Sequence, residues 1–444
     1  MPKNIKRITL LIGDLLTLYL SLWLTLFIRH GADFTFARWQ QHFWPFSIIY
    51  FIWLIIFFIA GLYELSIARN NILFYNTLSR GLVINVGLAI AFFYFIPYFG
   101  ITPKTNLFLN LAIFAALFSG WRNLYNYLIK SSALLNNVLI IGQNKEIDQL
   151  DRIIRNNPQL GYRILKIVSP QEIKTPFDLL EMATQKNINI IVTAINPHQD
   201  ARLVQSLYQC LPLKINFSDL PSFYEKILGK VPISSIGEIW FLENLTESQK
   251  NFYEAIKRVL DMFGSFIFGI VSLIFYPFIA LAIKIDSRGP IFFSQRRIGQ
   301  DGQIFKVLKF RSMIEDAEKN GAQWADQQDH RITRIGKFLR KTRLDELPQM
   351  WNIFTGQMSF IGPRPERIEF VQQLEKKIPY YQIRHIVRPG LTGWAQVNFH
   401  YGASVDDSIE KLQYELYYIK HRSFILDLSV LLRTIKIVLM GGGR

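Results

Sequence analysis

Four long apolar runs dominate the first part of the chain, roughly Leu10 to Ile28, Phe43 to Leu62, Gly81 to Phe99 and Leu107 to Leu124. A helix needs about 20 apolar residues to cross a bilayer, so each run is near spanning length. Charges inside them are scarce. Asp14 is the main exception, and it lies near an end, where snorkelling or an interhelical hydrogen bond can satisfy it. No pair of buried charges that would mark a transport pathway is visible, so anchoring or dimerisation is expected rather than translocation. Lys3, Lys6 and Arg7 precede the first run, Arg69 and Arg80 separate the second from the third, and Arg122 and Lys130 follow the fourth. Only Arg29, Arg38 and Lys104 fall on the other side. Basic loops stay cytoplasmic, which predicts a cytoplasmic N-terminus and a cytoplasmic exit after four spans. No cleavage pattern follows the first run, so it is expected to be retained.

The 444 residues allow two to four folded units, and a purely soluble protein rarely reaches 50% hydrophobic residues with 36 Phe. The formal net charge of +16 suits anionic partners such as phosphorylated substrates, anionic lipid or nucleic acid. A single cysteine, Cys210, excludes an intrachain disulfide and a Cys-cluster metal site; it reads as a small core residue.

Residues 131–240 change character. Val138 to Ile141, within NVLIIG, reads as a buried strand, followed by a polar helix to about Arg155. Ile188 to Val192 reads as a second strand and Leu213 to Asn216 as a third. Strands alternating with helices predict a small parallel α/β, Rossmann-like unit. Gly142-Gln143-Asn144 begins like a dinucleotide fingerprint but lacks the later glycines that let the backbone approach a pyrophosphate. Nucleotide binding is therefore disfavoured here, and a regulatory or assembly role is expected.

A fifth apolar stretch, Val259 to Ile283, is interrupted by Asp261 and contains Pro277 after Tyr276. Lys257 and Arg258 precede it, while Lys284, Arg288, Arg296 and Arg297 follow. Both flanks favour the cytoplasmic side, which one crossing cannot satisfy. A helix that enters and returns can, and Pro277 supplies the bend because it lacks an amide hydrogen and clashes with the preceding turn. A re-entrant helix over 257–283 is expected, with a full span as the alternative.

Beyond Asp286 the chain is basic and rich in turns. Ile291 to Phe293 and Phe305 to Phe310 read as short strands around a tight turn at Gly299 to Gly302. Lys309 and Arg311, at alternate positions, are expected to project to one side, either as a phosphate clamp or simply solvated. A helix is predicted over Ile332 to Leu344, followed at once by Asp345 and Glu346. These acids lie among Arg331, Arg334, Lys337, Arg340, Lys341, Arg343, Arg364 and Arg367. Arginine presents a fixed fork to phosphate oxygens, and a carboxylate can hold a hard metal or attack phosphorus. The pattern points to a phosphate-handling centre; the competing reading is a salt-bridged surface helix. Gly362-Pro363-Arg364-Pro365 and Arg388-Pro389-Gly390 each put an arginine on a stiff turn, which fits diphosphate recognition. Asp406 to Lys420, with Ser404 as a cap, and Asp427 to Met440 read as amphipathic helices suited to the membrane interface or to the core.

The strings GPIFFSQRRIGQDGQIFKVLKFRSM, RITRIGKFLRKTRLDELPQMWNIFTGQMSFIGPRPE and RPGLTGWAQVN resemble the bacterial sugar transferase family, the polyprenyl-phosphate hexose-1-phosphate transferases. The likeness covers Phe252 to the C-terminus, and the whole chain resembles the large, multidomain members. It implies three parts: a membrane α-helical bundle over 1–130, a Rossmann-like, CoA-binding-like cytosolic domain over 131–240, and a monotopic, mainly α catalytic domain over 250–444. It implies transfer of a sugar-1-phosphate from a nucleotide-diphosphate sugar to undecaprenyl phosphate in the bacterial inner membrane, with nucleoside monophosphate released. Such a step begins exopolysaccharide, capsule or O-antigen synthesis. UDP-glucose or UDP-galactose is the favoured donor, and an N-acetylated or diamino sugar the alternative. By the same resemblance Asp345 is the nucleophile, giving a phospho-aspartyl intermediate, Glu346 is its partner acid, and Mg²⁺ sits at the pair. Lys309, Arg311, Arg364 and Arg388 are the candidate phosphate clamps. Small members often carry Ser-Pro at the helix break, where this chain has Tyr276-Pro277, and Gly441 to Arg444 departs from the aromatic ending common in larger members. The partners expected are the two substrates, membrane lipid and a second copy in a homodimer. A membrane-anchored anion-binding regulator is the remote alternative. Nucleic acid is not expected, because no basic, aromatic-lined strand surface suited to single strands is evident.

Overall fold

The computed structural model describes residues 3–64, 72–96, 104–130, 135–173, 175–194, 200–245, 250–315, 317, 329–399 and 404–439. Arg69, Phe99, Ala133 and the Gly441 to Arg444 tail lie outside them, as do the side chains of Lys3, Lys104 and Lys130. The chain divides into two compact units, Met1–Phe223 and Tyr224–Arg444.

In the first unit, α1 (Lys3–His30), α2 (Phe36–Ala60), α3 (Ile72–Phe95) and α4 (Lys104–Lys130) each contain a stretch long and apolar enough to cross a membrane. Thr35 caps α2 by accepting from the Arg38 amide. Gly61, at φ 86°, ends it in the left-handed region that glycine enters without a Cβ penalty. Trp53, Phe57, Phe114 and Phe118 pack together in the interior.

Two charges expected to be separate meet there. The hydropathy pattern makes Arg122 a flanking residue, but it lies inside α4 and donates to Asp14 Oδ2 at 2.6 Å, with both side chains fully buried. Its second arm reaches the Leu62 carbonyl at 3.0 Å, and its guanidinium lies 4.8 Å from the Phe118 ring. The expectation that no buried charges pair is therefore corrected. The two residues are 108 positions apart, beyond any local pattern. Removing one partner of a buried pair costs about 3–5 kcal/mol, whereas replacing both with apolar groups is often neutral. Arg122→Met should therefore lower the thermal midpoint in detergent sharply, and adding Asp14→Leu should recover much of the loss. A wild-type midpoint in the single variant would contradict this.

The remainder of this unit is a four-stranded parallel sheet in the order β2-β1-β3-β4. Its strands are β1 (Asn136–Ile141), β2 (Tyr162–Val168), β3 (Ile190–Thr193) and β4 (Asn216–Asp219). Helices α5 (Lys145–Asn156), α6 (Pro176–Gln185) and α7 (Ala201–Gln209) connect them, and α8 (Leu220–Leu228) follows. Leu139, Ile141, Val168, Ile191, Leu203 and Cys210 form part of the core, which places Cys210 as anticipated. The strand expected at Leu213 to Asn216 begins only at Asn216, because Leu211–Leu213, with Pro212 at its centre, forms a 3-10 turn. β2 was not anticipated; its sequence YRILKIV mixes exposed and buried positions.

In the second unit α9 (Glu238–Asn244) precedes a bent pair, α10 (Asn251–Leu273) and α11 (Tyr276–Asp286), which meet at 58°. The bend is consistent with a re-entrant span. Pro277 stands in the first turn of α11, where its missing amide breaks no helical bond. Tyr276 packs on Phe310 with ring centroids 4.8 Å apart. Asp261, the charge within the apolar stretch, accepts the Phe360 amide at 3.1 Å.

A hairpin follows, β5 (Phe292–Ile298) and β6 (Ile304–Phe310), longer than the two short strands expected. Then come α12 (Arg334–Thr342), α13 (Gln349–Phe354), β7 (Ser359–Ile361), α14 (Ile368–Glu375), β8 (Gly390–Thr392), α15 (Trp394–Asn398), α16 (Val405–His421) and α17 (Phe424–Leu439). Strands β7 and β8 pair in parallel. Beyond β7 the Gly362 amide reaches Thr392 O at 2.9 Å, and the Gly390 amide reaches Pro363 O at 2.8 Å. A Cβ on Gly362 would lie 2.4 Å from the Arg388 carbonyl, so only glycine allows this approach. Ser404 caps α16 by accepting the Asp407 amide, as expected.

Candidate active site

Helix α12 ends because Arg343 takes a left-handed backbone, φ 60°, ψ 15°. For a side chain other than glycine this costs roughly 1–2 kcal/mol, and such strain concentrates at functional sites. The chain then turns through a single 3-10 turn, Leu344–Glu346, which buries both acids to 6% exposure. Pro348 starts α13 directly afterwards.

The acids face different surroundings. Glu346 Oε1 accepts from Lys309 Nζ at 2.9 Å and Arg364 Nη2 at 2.7 Å, with Arg343 Nη1 at 3.7 Å. Burial pushes its carboxyl up, but the charges of Arg364, Lys309 and Arg343 outweigh burial and hold it well below the usual range. Asp345 Oδ1 is buried and has no hydrogen-bond partner among the described residues. Burial pushes its carboxyl up; Lys309 opposes this and the Glu346 charge adds to it. Burial likewise lowers Lys309, against the pull of Glu346. Arg340 lies close enough to Asp345 for their charges to interact, and its Nε donates to Ser312 Oγ at 2.8 Å. The pair thus combines one carboxylate neutralised by cations and one with an oxygen left bare.

Four of the residues singled out in the sequence converge here: Asp345, Glu346, Lys309 and Arg364. Arg311 does not join them. It lies just past β6, and its guanidinium donates to the carbonyls of Arg288 at 2.7 Å and Ser287 at 2.9 Å, where the chain leaves α11. Arg311 thus ties the end of the membrane helix pair to the hairpin. Arg388 is half-buried, and its guanidinium makes no hydrogen bond or ion pair among the described residues. Its charge acts on Arg258 of α10. Pro277 stands at the helix bend and makes no contribution to the acid pair. Sequence reading left out Asn352, whose side chain accepts the Leu308 amide at 3.0 Å and donates to Lys306 O at 2.7 Å, fixing the strand that carries Lys309. An asparagine within a short apolar helix gave no local signal of that role.

No group of three or more His, Cys, Asp or Glu side chains able to hold a metal occurs among the described residues. The bare Asp345 oxygen nevertheless fits a hard cation. Mg²⁺ is commonly held by one or two carboxylates together with substrate phosphates and water. Asp345 and Glu346 would hold such an ion together with substrate.

Fold and site together define a multi-pass membrane protein with a buried acid pair in a cationic collar, carried beside a bent membrane helix pair. Residues 252–441 match the bacterial sugar transferase family model. A UDP-N-acetylgalactosamine-undecaprenyl-phosphate N-acetylgalactosaminephosphotransferase of Aeromonas hydrophila is 41% identical over 240 residues, covering 53% of this chain and 55% of that protein. UDP-glucose:undecaprenyl-phosphate glucose-1-phosphate transferases of Xanthomonas campestris and Escherichia coli are 30% and 31% identical; the matches cover 70% and 71% of this chain and 68% and 69% of theirs. The chain belongs to the bacterial sugar transferase family.

Proposed function

We propose that this protein transfers a sugar-1-phosphate from a nucleotide-diphosphate sugar to undecaprenyl phosphate, at the cytoplasmic face of the bacterial inner membrane. The observation that carries this reading is the bare, buried Oδ1 of Asp345 beside a carboxylate whose charge is already neutralised. In the first step Asp345 attacks the phosphorus that bears the sugar. The bond from that phosphorus to the bridging oxygen breaks, and nucleoside monophosphate leaves with the electron pair. In the second step an oxygen of the lipid phosphate attacks the same phosphorus and releases the Asp345 carboxylate. Splitting the transfer lets two unlike substrates use one site in turn. Lys309, Arg340 and Arg364 offset the negative charge on the transferred and leaving groups. Bound Mg²⁺ would add further charge neutralisation at the phosphate oxygens.

UDP-glucose or UDP-galactose is the favoured donor, in keeping with the glucose-1-phosphate transferases among the relatives. The 41% identity to the Aeromonas protein supports N-acetylgalactosamine as a second reading. Purified protein with Mg²⁺, undecaprenyl phosphate and a panel of sugar nucleotides should release UMP, and the fastest donor identifies the sugar. If no member of the panel released a mononucleotide, the proposal would fail.

A further inference from the structure

Helix α16 carries a polar stripe beside its buried apolar one. Positions 411, 415 and 418 follow i, i+4, i+7 spacing and share one face. A buried helix face is normally apolar, but beside the buried Leu412, Leu416 and Ile419 this helix also buries Glu415 and Tyr418, with the partly exposed Lys411 one turn before them. Each holds a point on the segment that presents Arg364. The one Tyr418 hydroxyl proton is shared between the Asp427 carboxylate, Oδ1 at 2.9 Å, and the Ile361 carbonyl at 3.2 Å. Glu415 accepts a fork from Arg384, Nε to Oε2 and Nη2 to Oε1, both at 2.8 Å. Arg384 Nη2 also donates to the Arg364 carbonyl at 2.8 Å, and its Nη1 to Tyr381 OH at 3.1 Å. Lys411 pairs with Glu366, which Arg297 also faces at 3.7 Å. Arg384 and Glu415 are each only 2% exposed. Apolar replacements of a buried ion pair are often as stable or more stable, so stability alone is a poor reason for this stripe.

We infer that Glu415, through Arg384, and Tyr418 are positioning residues for Arg364: they fix residues 361–366 so that the Arg364 guanidinium meets Glu346 and the substrate phosphates. The inference rests on the transferase reading above. It is tested by a double-mutant cycle, because residues acting through one group give non-additive effects. Glu415→Gln and Tyr418→Phe are made in the wild-type and Arg364→Ala backgrounds. Thermal midpoint, UDP affinity and UMP release are measured for each. In the wild-type background each change should reduce UMP release and weaken UDP binding at least tenfold. With Arg364 already removed, the same change should alter either quantity less than about twofold. Equal losses in both backgrounds would overturn the inference, as would a lowered midpoint with unchanged UDP affinity and turnover. Tyr418→Phe removes one hydroxyl and leaves Lys257 and Tyr253 on Asp427, so it decides the question if Glu415→Gln does not fold. A wild-type protein that binds UDP but releases no UMP defeats the transferase reading, and the UDP affinities then still decide the positioning role. A wild type that does neither defeats both.

Discussion

Asp345→Asn will abolish covalent capture of label from a donor labelled in its sugar phosphate, and turnover will fall by about 10⁶-fold, the scale seen when a covalent nucleophile is lost. Asparagine has nearly the shape of aspartate but no carboxylate with which to form an acyl phosphate. The protein should still fold, since Oδ1 accepts no hydrogen bond among the described residues and burial already disfavours the Asp345 charge. The same shift sets a pH dependence. The attacking form is the carboxylate, and the Asp345 carboxyl is raised above the ordinary value of about 3.9. As pH falls, activity should therefore begin to fail at a higher pH than an unperturbed aspartate would give. A pH–rate profile of UMP release checks this, and persisting covalent label in Asp345→Asn would remove Asp345 from the nucleophile's role.

The extent to which these features could be read from the residues follows from the range over which each is determined. Spanning helices depend on length and hydropathy, so α1 to α4 were legible. The bend near Pro277 was legible because proline acts on its own turn. The meeting of Lys309, Arg364 and the acid pair was expected from opposite charges and stiff turns, and the close glycines at 362 and 390 show why those turns sit together. Arg311 could not be resolved in this way. An arginine at a strand end can serve a phosphate or a carbonyl, and only the nearness of α11 decides between them. Asp14 and Arg122 met unseen for the same reason. The α16 stripe shows the limit most clearly: spacing predicted an amphipathic helix, but a buried Glu415 makes sense only once Arg384 stands opposite.

Glu346→Gln should have the second largest effect, and it should act on stability as well as turnover. Glu346 is the anion that holds Lys309, Arg343 and Arg364 together. A neutral amide leaves three cations facing one another. Losing one partner of a buried charge cluster costs about 3–5 kcal/mol. The lower end is expected, because the side chains of Lys309 and Arg343 are 23% and 33% exposed and can turn partly to water. The pH response separates this from ordinary damage. The folded-state carboxyl of Glu346 is depressed, so its contribution is fully present above the unfolded value of about 4.3 and disappears as pH falls through the depressed folded value. The gap in thermal midpoint between wild type and Glu346→Gln should therefore be widest near neutral pH and close in acid. Phosphate should act in the opposite direction. With its internal anion gone, the collar should bind inorganic phosphate more tightly, and a ligand that binds only the folded state raises the midpoint. Thermal scans with and without phosphate should show a larger rise in Glu346→Gln than in wild type. Equal rises, or a pH-independent gap, would mean that Glu346 does not hold this cluster closed.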